Sequence, residues 1–153
     1  GGMRVPALKR WPGRLPAGEV CDAMATAMDL LPTMVGYAGE VQTEIPGHEV
    51  DGKDISAIME DTARRSPHEH LFYYDADTGF LSAVRDAEGW KLHIMNDFLP
   101  VLQLYYLPDD IHEDVNLFFK YPKEAERLRG AADAFDLEVT KDQRPVGQAL
   151  GSS

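Results

Sequence analysis

The stretch from His70 to Met95 reads HLFYYDADTGFLSAVRDAEGWKLHIM and decides the fold. Three short runs that are rich in aromatic, β-branched and other apolar residues occupy 71–74, 80–85 and 90–95. Asp and Gly residues that favour turns separate these runs, a pattern typical of an antiparallel meander. Another apolar run follows at 102–107. The sequence therefore predicts a small antiparallel sheet of about four strands.

An amphipathic helix is predicted after the sheet. Pro122 suits the first helical position, where its missing N–H is not needed. The predicted apolar face contains Ala125, Leu128, Ala132, Phe135 and Val139. The fold class is therefore α+β, with this C-terminal helix packed on the antiparallel sheet.

Shorter elements are predicted in the N-terminal part of the chain. Val5–Leu8 is apolar and ends before a Pro-Gly turn, so it predicts a strand. Residues 29–38 predict a helix with Asp29 as its N-cap and Gly39 just beyond its C-terminus. Its predicted buried face contains Leu31, Met34, Val35 and Ala38.

Composition excludes several classes of partner. The chain has 153 residues and a formal net charge of −11, which disfavours binding to nucleic acid or to an anionic membrane. No apolar run approaches the roughly 20 residues that span a bilayer, and no signal peptide is expected in this sequence. The single cysteine, Cys21, precludes an internal disulfide. Periplasmic, secreted and cytoplasmic locations all remain open.

Histidines are the first candidates for a functional site. His68 and His70 stand two residues apart, so on a strand both would face the same side and could serve a metal. The spacing does not match the zinc pattern H-E-x-x-H. The alternative is that both are surface polar residues where a loop meets a strand. We expect no metal site in this chain.

A second pair, Lys91 and His93, shares one face of the third predicted strand. Such a pair could hold an anionic group, or it could belong to a solvated strand face. Cys21 lacks a nearby histidine in sequence and is interpreted as a small buried thiol. The acidic pairs 109–110 and 113–114 lack the spacing of a calcium loop and are interpreted as solvated turn residues.

Several segments together carry a more specific signal. In chain order they are Gly1–Ala7 with Arg10–Gly13, Met28–Thr33 with Ala38-Gly39, Asp51–Ser56, Ser66–Glu69, Ala83–Arg85 with Gly89–Leu92, and Leu104–Leu117. This ordered set resembles the C-terminal part of the sulfatase family, the arylsulfatase-like sulfuric ester hydrolases of the alkaline phosphatase superfamily. Tyr106 and Ile111 depart from the family pattern, which has Asp and Pro there.

The resemblance implies a division of the chain. Residues 1–65 would be the terminal strand, helix and connection of the large α/β sulfatase domain. Residues 66–140 would be the C-terminal antiparallel subdomain with its helix, and 141–153 a tail. Met3–Leu8 would then be a strand at the edge of a larger sheet, with the other strands outside this chain.

The family's chemistry is expected outside this chain. The nucleophile is a formylglycine made in a C/S-x-P-x-R motif, which the sequence after Cys21 does not match. Calcium ligands cannot be mapped here either, so both cofactors are expected in the parent enzyme alone. No catalytic residue is assigned to this chain. The resemblance makes Lys91 and His93 candidates for the rim of a sulfate-ester site, with His68 and His70 as further candidates.

Two functions follow. In the first, the chain is a C-terminal fragment of a sulfatase, its partner is the N-terminal catalytic part, and the isolated chain is inactive. In the second, the chain is a non-catalytic binding or assembly module that pairs through its exposed strand, Met3–Leu8, and forms a homo-oligomer. A fragment of a related phosphoesterase is a variant of the first. Whether this chain is itself an enzyme stays open.

Overall fold

The computed structural model describes residues 4–39, 44–45, 48–96 and 99–142. These residues form two compact units. The first unit contains the described residues up to Leu71 together with Asp86–Glu88. The second contains Phe72–Arg85 and the described residues from Gly89 onward. The predicted tail lies mostly outside the described residues.

The first unit contains two short helices and a two-stranded antiparallel ribbon. A turn of 3-10 helix over Ala27–Asp29 leads directly into the first helix. The elements are α1 (Leu30–Tyr37), β1 (Glu44–Ile45), β2 (His48–Glu49) and α2 (Ser56–Glu60). Ile55, Ile58 and Met59 form the small apolar core, against which Cys21 and Tyr37 pack.

The predicted antiparallel sheet is confirmed. Its strands are β3 (His70–Tyr74), β4 (Leu81–Asp86), β5 (Trp90–Asn96) and β6 (Leu99–Tyr106), in that spatial order. On β5 every second side chain faces the core, as Leu92 and Ile94 show. Gly89 has a φ of 100° in the turn before β5, a conformation that suits glycine. The α+β class follows, with helix α3 (Pro122–Asp142) after the sheet.

Helix α3 packs on one face of the sheet and begins at Pro122, as predicted. The buried core of this unit contains Leu81, Val84, Leu92, Ile94, Leu104, Ala125, Leu128 and Ala132. Phe135 extends the contact by stacking on Phe72, with ring centroids 3.9 Å apart. Val139 is exposed, so the predicted apolar face stops short of the C-terminal turns of the helix. None of the described helices is long and apolar enough to cross a bilayer.

The outer side of β6 is hydrogen-bonded to an asparagine side chain. Leu104 N–H donates to Asn116 Oδ1 over 3.1 Å, and Asn116 Nδ2 donates to the Leu102 carbonyl over 2.9 Å. Leu117 N–H then donates to the Leu104 carbonyl over 2.7 Å. The polar backbone groups of this part of β6 are therefore satisfied without another strand.

The buried face predicted for α1 is wrong. Asp29 and Thr33 are fully buried, whereas Leu31 and Met34 are more than half exposed. Thr33 Oγ1 donates to the Asp29 carbonyl over 2.6 Å and accepts from Ile55 N–H over 3.0 Å. Hydrogen bonding to the rest of the unit thus sets which face of α1 turns inward. The left-handed Gly39 after the helix is as predicted, with a φ of 86°.

The strand predicted at Val5–Leu8 is absent from the described residues at this position. Val5 and Leu8 are both exposed, and no neighbouring strand pairs with them in the part that the structure describes. A strand needs a partner for its backbone hydrogen bonds. Met3, the first residue of the longer strand that the resemblance implied, lies outside the described residues.

Candidate functional site

Lys91 and His93 lie on the face of β5 that points away from α3. Leu92, between them, belongs to the core beneath α3, and side chains alternate along a strand. The antiparallel register places Lys91 opposite Arg85 on β4 and opposite Tyr105 on β6. The predicted shared face of Lys91 and His93 is therefore present in the structure.

Glu113 joins this pair from the loop after β6. Lys91 Nζ donates to Glu113 Oε1 over 2.6 Å, and His93 Nε2 lies 2.6 Å from Glu113 Oε2. The side chains of Lys91, Glu113 and His93 are 17%, 23% and 28% exposed, respectively. The Lys91–Glu113–His93 cluster thus lies at the border between protein interior and solvent.

The Glu113 carboxylate is held in its ionised form. Burial raises the pKa of this group, but the hydrogen bonds from Lys91 and His93 and their charges lower it further. The net result is a pKa below the usual range of a glutamate. At neutral pH the cluster therefore contains a carboxylate that compensates one positive charge.

The loop conformation that presents Glu113 is unusual. Its φ of 62° is the only positive φ of a residue other than glycine among the described residues. Such a conformation is disfavoured for a side chain of this size and requires support from its surroundings. Asp110 supplies support, since its carboxylate accepts from Asp114 N–H over 3.0 Å and Val115 N–H over 2.9 Å. These hydrogen bonds fix the loop on both sides of Glu113.

Aromatic rings surround the Lys91–Glu113–His93 cluster. Lys91 Nζ lies 5.6 Å from the centroid of the Tyr73 ring, and the Tyr105 ring stands edge-on to His93 at 5.7 Å. Burial raises the pKa of Tyr73, while the nearby charge of Arg85 opposes that shift. Burial and then the charge of Glu113 raise the pKa of Tyr105. Both phenols therefore remain protonated at neutral pH.

Sequence reasoning missed Glu113 and Arg85. The sequence pattern predicts a solvated turn residue at Glu113, whereas the side chain is half-buried and bonded to Lys91 and His93. No local spacing links it to β5, because 22 residues separate it from Lys91. Arg85 could have been found from the sheet register, since it faces Lys91 directly.

His68 lies in a different setting, in the buried interior of the first unit. Its Nε2 is 2.8 Å from Asp29 Oδ1 and 2.9 Å from Asp29 Oδ2. Asp29 also accepts from Thr26 N–H over 2.6 Å and from Lys53 N–H over 2.8 Å. His68 is 6% exposed, so a ligand in solution does not reach it in this conformation.

The electrostatics of Asp29 fit its buried position. Burial raises the pKa of this carboxyl, but the hydrogen bonds from the Lys53 and Thr26 backbone and from His68 lower it more strongly. Asp29 occupies the predicted N-cap position before α1, but its side chain makes no capping hydrogen bond to that helix and instead accepts from the backbone N–H of Thr26. His70, the remaining candidate, is the half-buried first residue of β3. The structure thus joins Lys91 and His93, and places His68 with Asp29 instead.

The described residues do not fit the cofactors that the family resemblance implies. No group of three or more His, Cys, Asp or Glu side chains among them is arranged to hold a metal ion. Cys21 is half-buried and packs against the Ile55–Met59 core, and Asp22-Ala23-Met24-Ala25 follow it rather than a formylglycine motif. Neither calcium nor a formylglycine is therefore assigned to these side chains.

Comparison with known proteins gives the family context. Steryl-sulfatase of Mus musculus is 42% identical over 95 residues, covering 60% of this chain. Arylsulfatase D of Homo sapiens is 37% identical over 99 residues, covering 61%, and arylsulfatase A of Bos taurus is 41% identical over 76 residues, covering 50%. The predicted resemblance to the C-terminal part of a sulfatase is confirmed. No protein-family profile matches the chain.

A solved structure has the same fold as this chain. The structure of BT4656 in complex with its substrate D-glucosamine-2-N,6-O-disulfate matches 92% of this chain with a TM-score of 0.64 and 20% identity. The matched region is 29% of that protein. The matches to steryl-sulfatase, arylsulfatase D and arylsulfatase A cover 14%, 16% and 14% of those relatives. The chain thus corresponds to a small part of each sulfatase.

Proposed function

We propose that the chain is the C-terminal part of an enzyme that hydrolyses sulfate esters, and that the 153 residues alone do not turn over substrate. The observation that carries the proposal is the 42% identity to steryl-sulfatase over 95 residues. The side chains of this chain support the claim that it does not turn over substrate alone. Ester cleavage needs an activated nucleophile and a group that stabilises developing negative charge.

The nucleophile and the metal of the whole enzyme would come from the rest of the protein. Formylglycine and calcium belong to the parent enzyme in this proposal. Cys21 lies outside a formylglycine motif, and the described residues contain no grouping suited to a metal ion. The role left for this chain is to support and border the site where the ester is cleaved.

In this proposal, Lys91 and His93 contribute to the rim of the substrate site. Both side chains are partly exposed and point to the sheet face opposite α3. A sulfate ester is anionic and would be attracted to such donors. Glu113 compensates part of their charge, so the rim would orient the substrate rather than bind it tightly.

The proposed partner of this chain is the N-terminal catalytic part of the enzyme. The start of the first unit has a set of apolar side chains that are more than half exposed: Val5, Leu8, Met28, Leu30, Leu31 and Met34. Four of them, Met28, Leu30, Leu31 and Met34, lie on the adjoining 3-10 turn and α1, and exposed apolar groups concentrated on one element are typical of an interaction site. The α1 side chains Leu31 and Met34 would be covered when the catalytic part is present.

The test compares two chains under one assay. An aryl sulfate is offered, with calcium, to the 153-residue chain and to a chain extended upstream to include the formylglycine motif. We expect turnover by the longer chain only. Turnover by the shorter chain that follows the protein through purification would refute the proposal, as would an inactive but folded longer chain with its formylglycine formed. An aryl phosphate in parallel tests the phosphoesterase alternative.

Self-association is the second candidate function, and the exposed Val5–Leu8 segment favours it. Both its end residues are largely exposed, so the segment is available to a second copy of the chain. Sedimentation over a range of protein concentrations tests this candidate. A mass that rises towards a dimer supports an assembly module, and a monomer at the highest concentration contradicts it.

A further inference from the structure

Three basic side chains occupy neighbouring positions on one face of the sheet. Arg85 on β4 stands directly opposite Lys91 on β5, and His93 follows two residues later on the same face. Side chains directly opposite each other in an antiparallel pair have Cβ atoms about 4.5–5.5 Å apart. Arg85 therefore lies next to the Lys91–Glu113–His93 cluster and extends it towards β4.

Within the described part of the chain, the guanidinium of Arg85 has no carboxylate partner. It forms no ion pair with any residue that the structure describes, and its Nε is buried without a hydrogen-bond acceptor among them. The Tyr73 hydroxyl accepts a hydrogen bond from the Arg85 side chain. A buried guanidinium N–H without a protein acceptor is uncommon, and such a donor is available to an anion or a water.

Glu113 leaves this group with a positive charge. Arg85 and Lys91 are both cationic, and the Glu113 carboxylate compensates one of them, so these three side chains together carry one net positive charge. The Glu113 oxygens contact Lys91 and His93, one each, at 2.6 Å, and the supported backbone at φ 62° holds them there. Glu113 thus fixes the positions of Lys91 and His93 and leaves Arg85 uncompensated.

We propose that Arg85, Lys91 and His93 form a binding site for a single oxyanion group, and that the group is a sulfate monoester. In this oxyanion site, Arg85 supplies the uncompensated charge and the planar donors that suit an oxyanion. Lys91 shares its ammonium between Glu113 and the ligand. The choice of ester rests on the proposed sulfatase function and on the charge balance of the site.

The charge balance distinguishes sulfate from phosphate. A sulfate monoester is a monoanion and would neutralise the site, whereas a phosphate monoester carries about −1.5 to −2 at pH 7 and would leave an excess of negative charge. That excess would lie beside the Glu113 carboxylate, in a protein with a net charge of −11. The excess negative charge of a phosphate would be repelled by the partly buried Glu113 carboxylate, so the site disfavours phosphate.

The experiment titrates methyl sulfate, and separately inorganic phosphate, into the isotope-labelled 153-residue chain and follows the amide resonances of β4 and β5 by NMR. We expect saturable shifts with methyl sulfate and at least five-fold weaker binding of phosphate at neutral pH. The Arg85→Met variant should weaken methyl sulfate binding at least ten-fold. Arg129→Met is the matched control, because Arg129 lies on α3 and pairs with Asp133. It should bind methyl sulfate as the unaltered chain does.

A second variant keeps the test decisive if Arg85→Met unfolds, which its CD spectrum would reveal. Glu113→Gln removes the compensating carboxylate and adds one positive charge to the site. Binding of phosphate should then increase more than binding of methyl sulfate, by five-fold or more. The site is refuted if methyl sulfate causes no saturable shift, or if neither Arg85→Met nor Glu113→Gln changes binding.

Failure of this site and failure of the proposed function can be told apart. If the longer chain hydrolyses an aryl sulfate while the 153-residue chain binds no methyl sulfate, the function stands and the oxyanion site falls. If methyl sulfate binds as described but the longer chain is inactive with its formylglycine formed, the site stands and the proposed hydrolysis falls.

Discussion

Replacing the buried carboxylate of Asp29 by an amide should destabilise the first unit strongly. The carboxylate accepts hydrogen bonds from Thr26 N–H, Lys53 N–H and His68 Nε2 at 2.6–2.9 Å, and the residue is fully buried. In Asp29→Asn, the amide nitrogen must face one of these donors. Replacing a buried charged acceptor so that a buried donor loses its partner costs about 3 kcal/mol or more.

Urea unfolding followed by Trp11 fluorescence measures this loss. Trp11 belongs to the first unit, and its ring lies 4.9 Å from the Tyr37 ring. A Trp90→Phe background leaves Trp11 as the single tryptophan of the chain. With a urea dependence of about 1–3 kcal/mol per molar, the midpoint should fall by at least about 1 M.

The matched control is Asp22→Asn. The side chain of Asp22 is 84% exposed, and its carboxylate pairs loosely with Arg4 at 3.7 Å. Exposed ion pairs of this kind contribute little to stability, so the free energy of unfolding should change by no more than about 0.5 kcal/mol. Equal midpoints for the Asp29 and Asp22 variants would refute the view that the Asp29 network stabilises this unit.

The difference in unfolding free energy between the unaltered chain and Asp29→Asn should depend on pH. The pKa of Asp29 is lowered from 3.8 in the folded protein, so its ionised form contributes stability above that value. This contribution disappears as the pH falls through the folded pKa. The gap between the unaltered chain and Asp29→Asn should therefore be full at neutral pH and should narrow as the pH falls below about 4. A gap that widens on acidification would contradict the assignment.

Further substitutions test the packing. A Cβ at Gly52 would overlap the Met28 carbonyl. Overpacking of this kind makes Gly52→Ala destabilising by about 1–3 kcal/mol in thermal unfolding. Gly130, with open space around it in α3, is the matched control. Gly130→Ala should stabilise by about 0.5–1 kcal/mol. Tyr74→Phe removes a 2.9 Å hydrogen bond to the Asp136 carboxylate of α3. That loss should cost about 1 kcal/mol. Burial and the Asp136 carboxylate raise the pKa of Tyr74 to about 12. A spectrophotometric titration should therefore show one high-pKa phenol in the unaltered chain that is absent from Tyr74→Phe. In Asn116→Ala, Leu104 N–H loses its acceptor. Urea unfolding should show a cost of about 1–3 kcal/mol.

The sheet was predictable because its signals are local. Strands β3 to β6 are each rich in aromatic and aliphatic residues, and turn residues such as Gly89 lie between strands, so each element is decided by its own few residues. The start of α3 at Pro122 follows from one residue's backbone chemistry. By contrast, Val5–Leu8 has a strand-like composition, but a strand forms only when a partner is present.

The buried face of α1 was not predictable from periodicity. Leu31 and Met34 recur at a helical spacing, but that spacing does not say which protein surface will cover them. The interior contact of α1 is instead a polar network through Asp29, whose partner His68 is 39 residues away in sequence. Lys91 and His93 shared a face as expected, whereas Glu113 reached them through a loop conformation that no local pattern encodes.

The asparagine beside β6 has a consequence for how copies of the chain could assemble. Asn116 and Leu117 together present the donors and acceptors of one peptide unit to Leu102 and Leu104. An incoming strand would have to displace them before it could add to this side of the sheet. Edge-to-edge growth of the sheet into a filament through this part of β6 is therefore disfavoured, because Asn116 and Leu117 already occupy the backbone groups that a second copy would need.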